Sequence, residues 1–147
     1  MSTKKPSVKS DKKKKKTGIV TRGKRKEALA RASIRKGKGV VRINSVNLDS
    51  FQSRYVRELI REPLRLAPEA ASGVDIDISV RGGGAMGQAQ AARIAIARAL
   101  VEHSGDEALR ERFATRDRFM LSEDSRRVEP KKYKGPKARA RFQKSYR

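Results

Sequence analysis

The chain has 147 residues, about the size of one domain, and carries 38 Lys and Arg against 16 Asp and Glu, a formal net charge of +22. Such a surplus destabilises a compact state through self-repulsion unless a polyanion neutralises it, which puts nucleic acid or an anionic membrane ahead of any small neutral substrate. With no cysteine and one His, disulfides, thiolate nucleophiles, Cys-based zinc and imidazole clusters are excluded, and no apolar run approaches the ~20 residues that span a bilayer.

The charge is unevenly placed. Residues 1–42 hold 17 basic and 2 acidic groups, residues 43–125 hold 11 and 13, and residues 126–147 hold 10 and 1. A balanced body therefore lies between two polycationic arms. The expected division is a disordered Lys-rich arm over residues 1–21, a globular body over 22–122 and an extended basic tail over 123–147. The first arm includes the run Lys12 to Lys16 and too few aliphatic side chains to offset the entropy of ordering it. No signal-peptide-like apolar stretch follows those lysines, so secretion is not expected.

Ala28 to Arg35 alternates, with Ala28, Ala30, Ala32 and Ile34 on one side and Leu29, Arg31, Ser33 and Arg35 on the other, a strand with a cationic outer face. Gly37-Lys38-Gly39 supplies turn chemistry before the β-branched run Val40 to Ile43, which predicts a β-hairpin between the two. Asn44-Ser45 begins another turn, although a two-residue turn prefers Gly where Ser45 stands. Ser53 can cap a helix bearing Val56, Leu59 and Ile60, with Pro63 expected to end it, and Pro68 and Gly73 punctuate a loop. Val74 to Arg81 alternates over eight residues and is the clearest strand. A glycine-rich turn opens an Ala-rich helix from Gln88 to about His103, with Ala92, Ile96, Ala99 and Leu100 on one face. Asp106 can cap a last helix in which Leu109 and Phe113 share a face. The predicted fold is α+β, a small sheet in β-β-α-β-α-α order with helices packed on one face.

Gly82, Gly84 and Gly87 fit G-x-G-x-x-G between a strand and a helix. The pattern lacks the second parallel strand with its ribose-binding acid, so a nucleotide cofactor is not expected. Two readings remain level. Backbone amides here can hold a nucleic-acid phosphate, or the glycines serve a tight turn that needs positive φ. Asp75 and Asp77 share a strand face without a third ligand, so pairing with nearby arginines is favoured over a metal site. No catalytic constellation is present, and no enzyme activity is expected.

The C-terminal tail interleaves cations with aromatics: Lys131, Lys132, Tyr133, Lys134, Lys137, Arg139, Arg141, Phe142, Lys144, Tyr146 and Arg147. Lys and Arg can neutralise phosphates while Tyr133, Phe142 and Tyr146 stack on unpaired bases, a mode suited to irregular RNA. A solvated, unemployed charge run is the bland alternative. A general nucleic-acid-packaging protein is the rival class, since it would share the charge and the lysine arm.

Several motifs in order carry a more specific signal: Gly23-Lys24-Arg25-Lys26, Ala30-Arg31-Ala32, Arg81-Gly82-Gly83-Gly84, Gly87-Gln88-Ala89, Ile96-Ala97-Arg98-Ala99-Leu100, and the ending Lys137 to Arg147. From about Thr21 to Arg147 the chain resembles the family of the ninth protein of the small ribosomal subunit. Glu129-Pro130-Lys131-Lys132-Tyr133 and Lys144-Ser145-Tyr146-Arg147 are similar to its archaeal and eukaryotic versions. The resemblance implies a cytoplasmic, ribosome-bound structural protein without cofactor. Its partners would be the 3′ major domain of the small-subunit RNA in the head, neighbouring ribosomal proteins, and transfer RNA in the peptidyl site. Carried onto this sequence, the RNA-binding residues would be Arg22, Lys24, Arg25, Lys26, Arg31, Arg35, Lys38, Gly82, Gly83, Gly84, Gly87, Gln88, Arg93, Lys131, Lys132, Tyr133, Lys137, Arg139, Arg141 and Phe142. The tail tip, Lys144, Ser145, Tyr146 and Arg147, would contact the transfer RNA.

Overall fold

The structure, a computed structural model, describes residues 18–143 and Ser145. The expectation of disorder in residues 1–17 lies outside the described residues. Its last part does not hold: Ile19, Val20 and Thr21 belong to β1 (Ile19–Arg25). Thr21 is buried and donates its Oγ1 hydrogen to the Ala95 carbonyl at 2.7 Å, so the body begins before residue 22.

β1 pairs antiparallel with β2 (Ala28–Lys36) through the turn at Lys26 and Glu27, where Lys26 takes a φ of 53°. The remaining strands are β3 (Val41–Ile43), β4 (Val46–Asn47) and β5 (Val74–Arg81). The sheet order is β1-β2-β5-β3-β4, with β3 and β5 parallel and the other pairs antiparallel.

The expected hairpin between Ala28–Arg35 and Val40–Ile43 is therefore not formed. β5 lies between them as the middle strand of the five, with its alternating Val74, Ile76, Ile78 and Val80 buried. Gly37-Lys38-Gly39 carries the chain over the start of β5. The Gly37 amide donates to the Gly73 carbonyl at 3.0 Å, and the Ile76 amide to the Val40 carbonyl at 2.9 Å. The Asn44-Ser45 turn does form, joining β3 to β4 with φ of 48° and 70°. A serine holds that backbone because Asn44 anchors the turn. Its side chain accepts from the Val80 amide at 2.8 Å and donates to the Val80 carbonyl at 3.1 Å.

Helix α1 (Arg54–Leu66) starts at Ser53, whose Oγ accepts from the Val56 amide. It does not stop at Pro63. The proline forfeits one helical hydrogen bond, but it is buried with Ile60, and the apolar periodicity runs on to buried Ala67. Packing outweighs the local penalty. Pro68 and Gly73 bracket a short helix, α2 (Pro68–Ser72), in place of the expected loop.

Helix α3 (Ala85–Ser104) is the spine of the body, starting three residues earlier than its periodicity suggested. It is buried nearly all round, with the sheet on one side and α1 among its neighbours elsewhere. This explains why its sequence is apolar on several faces at once. Its alanines let the sheet approach. At Gly23 in β1, any Cβ would collide with the Ala91 carbonyl oxygen and crowd the Ala95 amide. α4 (Glu107–Arg116) is capped by Asp106, which accepts from the Ala108 amide at 3.0 Å, and buries Leu109 and Phe113. Side chains as completely buried as Ile96, Leu100 and Phe113 each contribute about 1.5–3 kcal/mol by leaving water. A 3-10 turn at Arg118–Met120 follows, and the described residues beyond it form no helix or strand.

Candidate nucleic-acid interface

All helices pack on the face of the sheet that carries Ala30, Ala32, Ile34, Ile76 and Ile78. Among the described residues the other face is left open, and strand register decides what it displays. Lys24, Leu29 and Arg81 form one row across β1, β2 and β5, and Arg22, Arg31 and Ser79 form the next. Val20, Ser33, Asp77 and Arg42 make the third row, and Arg35 faces Asp75 in the fourth. Cations are thus concentrated at the end nearest the Lys26 turn and the glycine loop. A shallow cleft of about 590 Å³ lies farther along, bordered by Arg31, Arg42, Asn44 and Asp77. Arg42 and Arg81 were not among the residues expected from sequence. Their strand alternation alone was the signal, since it puts each on the same side as Arg31.

The glycine loop resolves differently from its motif. Positive φ occurs at Gly82 (74°) and Gly83 (65°), while Gly84 is an extended helix cap with φ −103° and open space around it. Gly87 lies within α3, without a positive φ. A Cβ on Gly82 would stand 2.5 Å from the Glu27 carbonyl oxygen, and one on Gly83 would crowd Ala28. Gln88 secures the loop by donating Nε2 to the Gly82 carbonyl at 3.1 Å. The β1–β2 turn and the loop are therefore packed together, and this joins Lys24, Lys26 and Arg81 into one basic edge.

Asp75 is a structural group and not half of a carboxylate pair. Its Oδ1 accepts from the Val40 amide at 3.0 Å and the Lys38 amide at 2.8 Å. These backbone donors, with lesser help from Arg42, hold its carboxyl below the usual carboxylate range. The expected pairing of this residue chiefly with arginine side chains is replaced by backbone capping.

Two further expectations are corrected. Arg93 is buried, with Nε 2.8 Å from Glu62 and Nη1 2.7 Å from Asp117. Arg25 is nearly buried; its Nε donates to Gln90 Oε1 at 2.8 Å and its Nη1 lies 2.7 Å from Asp124. Neither is free to grip a phosphate. Arg98, which was overlooked, belongs with them, since it donates to the Leu121 carbonyl at 2.8 Å and the Arg22 carbonyl at 2.6 Å. These arginines bind the segment from Asp117 to Asp124 against β1 and α3. At Asp117, burial pushes the carboxyl up, but the Phe119 amide and the Arg93 guanidinium together pull it below its ordinary value. At Asp124, the Arg126 side chain and amide, with help from Arg25, hold it down to about 2.

Arg22, Lys26, Arg31, Arg35 and Lys38 are exposed, and Lys24 is half-buried. In the tail, Lys131, Lys132, Tyr133, Lys137, Arg139, Arg141, Phe142 and Ser145 are exposed. Glu129 receives Lys132 Nζ at 2.7 Å and Arg139 Nε at 2.9 Å, and both lower its carboxyl. Lys144, Tyr146 and Arg147 lie outside the described residues.

A sheet face edged with arginine and lysine, together with a basic tail, defines a small α+β protein whose surface complements a polyanion. The comparisons with known proteins make that class particular. Residues 23–147 match the family described as ribosomal protein S9/S16. Over 125 residues the chain is 50% identical to the small ribosomal subunit protein uS9 of Methanothrix thermoacetophila, covering 85% of this chain and 95% of that protein. The chain belongs to the ribosomal protein S9/S16 family. Membership carries a structural, non-enzymatic role in the small ribosomal subunit, with ribosomal RNA and neighbouring ribosomal proteins as partners.

Proposed function

We propose that the open sheet face docks this protein on the 3′ major domain of small-subunit RNA in the head, and that its C-terminal tail runs on to transfer RNA in the peptidyl site. The observation that carries this reading is the pair of cationic rows, Lys24–Arg81 and Arg22–Arg31, on the sheet face that no helix among the described residues covers. With Lys26, Arg35 and Lys38 they offer phosphate contacts, and the packed loop at Gly82 and Gly83 lets backbone approach RNA closely. In the tail, exposed Tyr133 and Phe142 stand among cations, where they can stack on unpaired bases. Arg147 would grip phosphate oxygens with a fork that lysine lacks.

The test uses purified small subunits carrying full-length protein or protein lacking Tyr146 and Arg147. Both should remain with the subunit through a high-salt wash. The truncated form should release peptidyl-site transfer RNA faster, by the equivalent of roughly 1–3 kcal/mol for one charged contact. Equal release at equal occupancy would refute the tail's role. A purely electrostatic packaging protein would lose little when Tyr133 and Phe142 become Ala, whereas stacking predicts a loss of about 1–3 kcal/mol per base.

A further inference from the structure

We propose that Arg25, Asp124 and Arg126 are positioning residues, a lock that fixes where and in which direction the C-terminal tail leaves the body. Asp124 is only 3% exposed, although the tail beyond it is mostly exposed. A buried carboxylate is tolerated only when its oxygens are fully engaged, and here they are. Arg25 Nη1 lies 2.7 Å from Oδ2. Arg126 donates its amide to Oδ1 at 2.8 Å, its Nε at 2.9 Å and its Nη2 at 2.7 Å to Oδ2.

The lock has a body side and a tail side. Arg25 belongs to β1 and is itself held by Gln90 of α3, so one end is anchored where β1 packs on α3. Arg126 lies two residues past Asp124, and Arg127 donates Nη1 to the Asp124 carbonyl at 2.8 Å. The backbone from residue 124 to 127 is therefore turned and fixed by three guanidinium groups. An apolar anchor would retain the chain equally well, but the planar fork of arginine on carboxylate also sets an orientation. Orientation matters because everything beyond the root follows it. The described part of the tail turns back on itself, with Arg139 Nε donating to Glu129 at 2.9 Å and Arg141 Nη1 to the Tyr133 carbonyl at 3.3 Å, so a change of direction at the root displaces that folded segment as a whole.

The consequence for transfer RNA rests on the tail's proposed role, whereas the lock itself can be tested without it. The chain has no cysteine, so spin labels can be placed at Thr115→Cys on α4 and Val128→Cys just past the lock. Pulsed electron-resonance distances are then measured in the free protein and in small subunits. One narrow distribution is expected for the parent, and at least about twofold broadening in Asp124→Asn and in Arg126→Ala. The Arg126 side chain is 71% exposed, so its removal leaves the core intact. In Arg126→Ala, broadening with an unchanged unfolding midpoint separates positioning from stability. In subunits, Asp124→Asn should speed transfer-RNA release severalfold and add nothing once Tyr146 and Arg147 are deleted, because both act on one path. Unbroadened distributions in both variants would overturn the lock. Broadening without any effect of the tip deletion on transfer RNA would leave the lock standing and remove the tail's proposed role.

Discussion

Arg93 and Arg31 are the same residue type in one basic body, yet the fold uses them in opposite ways. Arg93 points from α3 into Glu62 and Asp117. Arg31 points from β2 into solvent beside Arg22. The first group, with Arg25 and Arg98, is occupied by internal acids and backbone carbonyls, several of them distant in sequence. The second remains available to a polyanion. Net charge alone therefore overstates the RNA-binding surface, since each internal pair removes a cation from it. The segment from residue 43 to 125 contains arginine but no lysine, which fits this internal use, because a fork can satisfy two acids where an ammonium is a single point.

The difference is sharpest when one member is removed. Arg93→Ala removes the cation that Glu62 and Asp117 share, leaving Glu62 only Arg116 at 3.3 Å among the described residues. Unfolding by urea should show a loss of about 3 kcal/mol, the low end for a broken buried pair, because both acids keep partial access to water. RNA affinity of the folded protein should retain its salt dependence. A change in that dependence without a loss of stability would reverse the two assignments.

The glycine loop gives the next largest effect. Gly82→Ala forces a side chain into a φ of 74° and against the Glu27 carbonyl, at a cost of about 1–3 kcal/mol. Gly84→Ala meets nothing and should stay within about 0.5 kcal/mol. Thermal unfolding of the two variants checks the contrast, and equal midpoints would contradict the loop's geometry.

That contrast also marks what was legible beforehand. The motif located the turn between Arg81 and α3, but a spacing pattern does not say which glycine carries the strained backbone. Alternation gave β5 and most of β2 because burial on one face repeats every two residues. It could not give their partners. Whether Val40–Ile43 sits beside β2 or beyond β5 depends on pairing across the whole sheet, which local alternation does not encode. Pro63 was read as a stop from its local chemistry, and tertiary packing overrode that. Arg25 and Arg93 looked like phosphate ligands because sequence shows a cation and not its partner. Asp117 lies 24 residues from Arg93, and nothing local couples them.

Acid provides a gentler way to separate the groups. Asp124 has its carboxyl held at about 2, against an ordinary 3.8. A carboxyl depressed in the folded state contributes stability that is complete above its unfolded value and is lost as pH falls through the folded one. The tail root should therefore stay locked at pH 4 and loosen as pH approaches 2. A spin label at position 128 should gain mobility with a midpoint near pH 2, and Asp124→Asn should abolish that transition. A midpoint near 4 would mean that the arginines do not hold the carboxylate in solution.

The smallest effect on the fold, and the most direct on function, is expected from Arg31→Ala. Its side chain stands on the open face, and it takes part in no ion pair among the described residues. Stability should shift by no more than about 0.5 kcal/mol, as for a surface site without such a tie. If Arg31 contacts phosphate, its loss removes one released counterion. Log K against log salt would then become shallower by about 0.7–0.9. The weakening should be similar on any RNA that fits the face, because a phosphate contact positions without reading sequence. The double variant with Arg22→Ala, the neighbouring cation across β1 and β2, whose side chain is 63% exposed and 3.6 Å from Glu123, should flatten the slope about twice as far if both reach separate phosphates. A double variant no flatter than the single one would mean that the two arginines share one phosphate, and an unchanged slope in both would move the RNA to another face.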